Sequence, residues 1–174
     1  DILKESFPIQ SIVVRKSFPN KLSVVVEEKI STVIYDNGKQ YSYLDLGGKI
    51  VEKLRLVSDY EWKELKQTVT STNELGEEVS KEKVVERIHK PDIKLVVSEL
   101  GDYPIVYDKR ERTGEINEQV LAGELLRSVV EWFNYLTRRT DIPLSYFIIE
   151  NELGDVVIKT KEGWEIRTRA DVEV

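Results

Sequence analysis

The sequence has no cysteine and no methionine, a single histidine, and five prolines among 174 residues. Without cysteine there are no disulfides and no thiolate metal sites, and the redox compartment stays open. With His89 as the one histidine, a Cys/His dyad is impossible and a multi-histidine metal centre is excluded. No apolar run approaches the roughly 20 residues of a membrane span, and the N-terminus lacks a signal-peptide pattern. GxGxxG, P-loop and nucleophile-elbow patterns are missing as well, so no cofactor is expected. A start on Asp1 with no methionine reads as a fragment, from which a targeting or anchoring segment would have been cut away.

What is present is a globular composition. Forty per cent of the residues are hydrophobic, enough for a real core, and the length allows one ordinary domain or two small ones. A third are charged, with a formal net charge of −6, which argues against the concentrated basic surface that nucleic-acid phosphates require. The balance is uneven: residues 1 to 57 hold nine Lys and Arg against seven Asp and Glu, leaving −8 for the remainder. A surplus of two gives only weak attraction to anionic lipid head groups.

Along the chain, Ile2, Leu3 and Phe7 read as the end of a short amphipathic helix stopped by Pro8. Val13 to Lys16 and Leu22 to Val26 predict two strands reversed by Phe18-Pro19-Asn20. In "STVIYDNGKQYSYLD", Asn37-Gly38 is a type I′ hairpin signal flanked by Val33, Tyr35, Tyr41 and Tyr43. Gly47-Gly48 makes another turn, with Ile50 and Val51 as a return strand. Trp62, Leu65 and Val69 fall at i, i+3 and i+7 behind Ser58 or Asp59, which predicts a capped helix. "TSTNELGEE" reads as a polar loop, Ser80 to His89 as a second helix ended by Pro91, and Ile93 to Val97 as a short strand. Tyr103 to Tyr107 is a further apolar piece. Ile116 to Leu136 carries a broad apolar stripe and predicts a long helix. Tyr146 to Ile149, Val156 to Lys159 and Trp164 to Arg167, separated by Gly-bearing turns, predict a three-stranded meander. Helices segregated from strands argue α+β and not a doubly wound parallel fold.

Groups equipped for bond chemistry are few. His89 sits near the end of an expected helix, where a cation favours the helix dipole, so capping or solvation is its expected role. Paired acids hydrolyse glycosides, which directs attention to Glu27 with Glu28 and to Asp102 with Asp108. Adjacent strand residues face opposite ways, however, so Glu27 and Glu28 make a poor dyad. Glu74, Glu77 and Glu78 fall in the polar loop and keep it solvated. Trp62 and Trp132 fall on helical apolar stripes and read as core, and Trp164 as a cross-strand packing residue. A free sheet edge remains a template for a partner strand.

Several of these features together resemble one family. They are Ile12, Val14 and Arg15, the turn at Pro19, the strand led by Leu22 and closing on Glu28 in "EEK", the hairpin, and "YLDLGGKI" with Asp45 and Gly48. This pattern is similar to the FtsQ/DivIB family of bacterial cell-division proteins, at the point where a polypeptide-transport-associated (POTRA) domain passes into the following β-domain. "LGDVVIKTKEGWEIRT", with Gly163 and Trp164 opening a strand, resembles the family's late hairpin. The match covers residues 7 to 54 and 99 to 170 in pattern, with Arg55 to Val97 longer than expected. Lys29 stands where the family usually has arginine, and Ser31 where it commonly has proline.

The resemblance implies a division at residue 54. Residues 1 to 54 would be the C-terminal part of a POTRA-like module, and 55 to 174 a β-domain with a helical insertion, an antiparallel sheet and a long packed helix, its final helix and strand lying past Val174. It also implies a non-enzymatic scaffold: the extracytoplasmic region of a single-pass inner-membrane protein at the septum, which binds FtsL and FtsB (DivIC) and helps to recruit them with the septal wall synthase. The family binds FtsB mainly through its terminal strand, so no partner-binding residue carries over. Two other expectations stand beside it, a POTRA module of an outer-membrane assembly or secretion protein and a carboxylate-based hydrolase of the cell wall.

Overall fold

The computed structural model describes residues 9–28, 32–72 and 78–170. Among these residues, eleven strands and two α-helices make an α+β fold. Strands β1 (Ile9–Ser17) and β2 (Lys21–Glu28) pair antiparallel as a separate hairpin, with Ser17 opposite Lys21 across the Phe18-Pro19-Asn20 reversal. Their β-branched runs favour extended chain, yet Val14, Leu22, Val24 and Val25 are exposed, as is Phe18 at the tip. The expected helix over Ile2 to Phe7 lies outside the described residues.

The main body is one seven-stranded sheet. It contains β3 (Val33–Asp36), β4 (Gln40–Leu44), β5 (Ile50–Leu56), β8 (Ile105–Asp108), β9 (Leu144–Ile149), β10 (Asp155–Thr160) and β11 (Glu165–Arg169), in the order β11-β10-β9-β8-β3-β4-β5. Both flanks are antiparallel. The centre is not: β3, β8 and β9 run parallel, a feature the sequence reading did not anticipate. Parallel neighbours need a crossover, and the long stripe-bearing helix supplies one of them. A division at residue 54 falls inside β5 and would part β3 to β5 from strands to which they are hydrogen-bonded, so the expected boundary is corrected: residues 33–56 and 105–169 share one sheet.

Helix α1 (Ile93–Leu100) and helix α2 (Gly123–Arg139) cover opposite faces. Adjacent strand residues point opposite ways, which sends Val33 and Tyr35 to one face and Ile34 to the other. Val33, Tyr35, Val106, Phe147 and Ile149 pack with Leu125, Leu126 and Val129 of α2. Ile34, Tyr41 and Ile105 pack with Val96 of α1. Strands buried on both faces show as the apolar runs Val33 to Tyr35 and Ile105 to Tyr107, each closed by a buried aspartate.

Three expected elements are corrected. The helix expected at Ser58 is a single 3-10 turn, Asp59–Glu61, which runs into β6 (Trp62–Thr72). The helix expected at Ser80 to His89 is β7 (Glu78–His89), so the insertion is strand and not helix. β6 and β7 pair along their whole length as a two-stranded arm, Trp62 opposite His89 and Thr72 opposite Glu78. Apolar residues spaced at three and four also occur in a ribbon that is solvated on both faces, where no buried face enforces alternation. Conversely, the strand expected at Ile93 is α1. Asp92 follows Pro91 and accepts the Leu95 N–H at 3.2 Å, an N-cap that starts the helix.

The long helix starts later than expected, at Gly123. Residues 117 to 120 are held instead by the β4–β5 turn: Asn117 N–H donates to Ile50 O, Ile50 N–H to Glu118 O and Val120 N–H to Gly48 O, at 2.7 to 2.9 Å. Ile116, Val120 and Leu121 still reach the core, from a loop. The hairpin forms, but one residue later than expected: Asn37 N–H donates to Gln40 O, so Gly38-Lys39 is the central pair, and φ is positive at Gly38 alone, which suits the II′ class and not I′.

Candidate functional site: a rooted arm and an open sheet edge

The arm is fixed to the sheet by buried polar groups. His89, the last residue of β7, has a fully buried side chain, and its Nε2 lies 2.6 Å from Oδ2 of Asp36, equally buried at the end of β3. Its Nδ1 lies 3.2 Å from the Glu61 carbonyl oxygen. Each ring nitrogen thus lies within hydrogen-bond distance of an oxygen, one on the sheet and one at the start of the arm. The ring is sandwiched by Trp62, centroid 4.7 Å away, and Tyr107, 4.6 Å away. His89 is therefore neither a helix cap nor solvated, and Trp62 belongs to this root and not to a helical stripe.

Glu61 makes a second root. Its carboxylate accepts from Arg55 (2.9 and 3.2 Å), from the Tyr41 hydroxyl (2.7 Å) and from the Ser58 N–H (2.8 Å). Burial pushes this carboxyl up, but the Arg55 guanidinium, the Ser58 N–H and the Tyr41 hydroxyl outweigh it and hold it at about 2. Burial, with help from the Asp36 and Glu61 carboxylates, pushes the Tyr41 hydroxyl far up, so it serves only as a donor. The Tyr107 hydroxyl is pushed up to about 12, by burial first and then by Asp36.

A third buried acid, Asp108, ends β8 on the other face. Tyr35 donates its hydroxyl to Asp108 (3.0 Å), and Arg110 holds both carboxylate oxygens at 2.6 and 2.8 Å while also reaching Glu152 at 2.9 Å. Arg112 joins Glu152 as well. Asp102 is exposed after α1, so the expected Asp102/Asp108 pair does not assemble. Asp36 and Asp108 end neighbouring parallel strands but sit at even steps from Ile34 and Val106 respectively, which face opposite layers, so they form no dyad either. Among the described residues, no group of three or more His, Asp or Glu side chains is placed to hold a metal ion.

The residues that carry the resemblance mark three separate turns and strand ends. Arg15 lies on β1 opposite Ser23, Pro19 at the hairpin tip, and Leu22 on β2, exposed. Glu28 ends β2, opposite Ile9. Asp45 shapes the β4–β5 turn: its Oδ1 accepts the Gly47 and Lys49 N–H groups at 2.9 and 3.0 Å, and its carbonyl accepts the Gly48 N–H. Gly48 has φ +80°, and a Cβ there would stand 1.9 Å from the Leu121 carbonyl oxygen, so only glycine fits. Gly163 has φ +96° and opens β11 through Trp164, which is partly exposed and donates its indole N–H to Glu162. Trp132 packs against the core from α2 as expected. Glu74 and Glu77 lie outside the described residues, and Glu78 begins β7.

β11 closes one side of the sheet, paired only with β10 among the described residues. Charged side chains line it: Lys159 with Glu165, Arg167 with Glu165 and Glu150, Arg169 with Asp155. Such charges guard an edge against indiscriminate pairing while leaving its backbone groups available. The sequence reading missed the Asp36–His89 root because its partners are far apart in the chain, and the Glu61–Arg55 root because it placed Glu61 in a helix instead of the 3-10 turn that follows β5.

No family model matches the chain, and no curated protein matches it.

Proposed function

We propose that the protein is a non-enzymatic scaffold of the bacterial division machinery, of the FtsQ/DivIB kind, which binds FtsL and FtsB (DivIC) and helps to recruit them with the septal wall synthase. One observation carries the reading. The later part of the first stretch that bears the resemblance, β3 to β5, lies in one sheet with the second stretch, β3 against β8, while most of the longer-than-expected segment between them leaves the sheet as the β6–β7 arm. An insertion extruded as a hairpin lets the flanking parts keep one fold. The Asp45-Leu46-Gly47-Gly48 turn and the Gly163-Trp164 turn supply the positive φ angles that the motif glycines imply.

On this reading β1 and β2 belong to the POTRA-like module, and their exposed apolar side chains are the surface on which the rest of that module packs. The protein works outside the cytoplasm, held to the membrane by one helix elsewhere in the parent chain. Among the described residues, no helix is long and apolar enough to cross a membrane. The buried carboxylates Asp36, Glu61 and Asp108 each face a basic partner, which favours structural work over the acid catalysis of a hydrolase. The deciding experiment is affinity capture with the tagged full-length protein from membranes that also contain FtsL and FtsB. Retention of both supports the scaffold, and retention of neither overturns it.

A further inference from the structure

A concave groove of about 780 Å³ opens where the base of the arm, helix α1 and the β9–β10 end of the sheet meet. That volume lies in the range of pockets that enclose a small ligand or a few side chains, roughly 300 to 1,000 Å³. Four lysines line it, Lys63 from β6, Lys90 after β7, Lys94 from α1 and Lys161 after β10, against Asp92 and Asp102. One of these acids is already engaged, since Asp92 caps α1 through the Leu95 N–H. The floor is apolar, with Pro91, Ile93 and Val97 beneath and the exposed ring of Tyr60 at one side.

The lysines are set apart by where they gather, four around one apolar concavity. Some basic side chains elsewhere on the sheet meet carboxylates, as in Lys53–Glu115, Lys109–Glu150 and Arg169–Asp155. None of the four groove lysines makes an ion pair among the described residues. A protein of net charge −6 thus gathers unpaired positive charge around one apolar concavity. Side-chain ammonium groups spread along a rim attract carboxylates, and the floor selects a ligand that brings apolar side chains with its acids. A flat lipid surface would meet the rim but not the floor.

We propose that this groove docks an acidic, amphipathic peptide segment of a partner protein, its apolar residues on Pro91, Ile93 and Val97 and its carboxylates on the lysine rim. The inference stands on the groove alone, uses a face other than the β11 edge, and does not depend on the division reading.

The test pans a random peptide library, displayed on phage, against the full chain at low salt. The expected selection is rich in Asp and Glu beside Leu, Ile or Phe. A synthetic copy of the best peptide should lose about ten-fold or more in affinity for the K90E/K94E/K161E variant, and weaken steeply with added salt. All three lysines are exposed, so that variant should keep the parent's circular dichroism. K49E/R138E/R139E, an equal charge change on exposed positions outside the groove, should bind within about two-fold of the parent. A selection with no acidic enrichment, no binder above background, or equal binding by the groove variant overturns the proposal. So does stronger retention on phosphatidylglycerol vesicles through the same three lysines, which would assign the groove to lipid.

Discussion

Strands β3 and β6 are both extended, yet they are held by opposite means. Every residue of β3 is buried, between α1 on one face and α2 on the other. In β6, Leu65 and Val69 are about half exposed, and among the described residues the strand is paired only with β7. The sheet is thus stabilised by apolar burial, whereas the arm depends on cross-strand bonds and on a root where His89, Asp36, Glu61 and Arg55 meet the sheet. A ribbon of two strands is marginal alone, so the root is what gives the arm a defined direction.

The contrast can be broken most severely from the sheet side. Phe147→Ala removes a ring packed between β9 and α2 and should cost about 3 to 5 kcal/mol, read as a lowered denaturation midpoint for the whole sheet. Next comes the root. His89→Ala leaves Asp36 buried without its partner and should cost about 3 kcal/mol, with amide exchange rising first at Trp62 to Leu65 and at Arg87 to His89. If exchange rose equally across β8 and β9, the root would belong to the core and not to the arm.

Acid sharpens the comparison further. Glu61 is held at about 2, below its ordinary 4.5, so its contribution is fully present above pH 4.5 and is lost as pH falls toward 2. That contribution is on the order of 3 kcal/mol as an upper figure. Glu61→Gln should be less stable than the parent at neutral pH and should approach it near pH 2, measured by urea unfolding across that range. The smallest effect is expected on the arm itself: Leu65→Ala should shift stability by no more than about 0.5 kcal/mol, because the side chain is already half in water.

What could be read in the sequence follows the same line. The hairpins of the sheet were legible because their signals are local: Gly38, Gly48, Gly154 and Gly163 all take positive φ, and the turns form where glycine predicted them. The meander β9 to β11 and the core role of Trp132 also followed from pattern. The arm was misread because Trp62, Leu65 and Val69 happen to match helical spacing, while Asp92 before Ile93 was an available N-cap signal that went unused. The parallel centre of the sheet and the His89–Asp36 contact were not legible, since both join residues that only the completed fold brings together.

Native-state hydrogen exchange, resolved by peptide, probes the central claim most directly, namely that residues 33–56 and 105–169 are one cooperative sheet from which the arm departs. The expected result is that amides of β3 and β8 exchange together and slowest, at the global unfolding free energy, with the outer half of β6–β7 exchanging far faster. Loss of protection in β3 to β5 independently of β8 to β11 would contradict it.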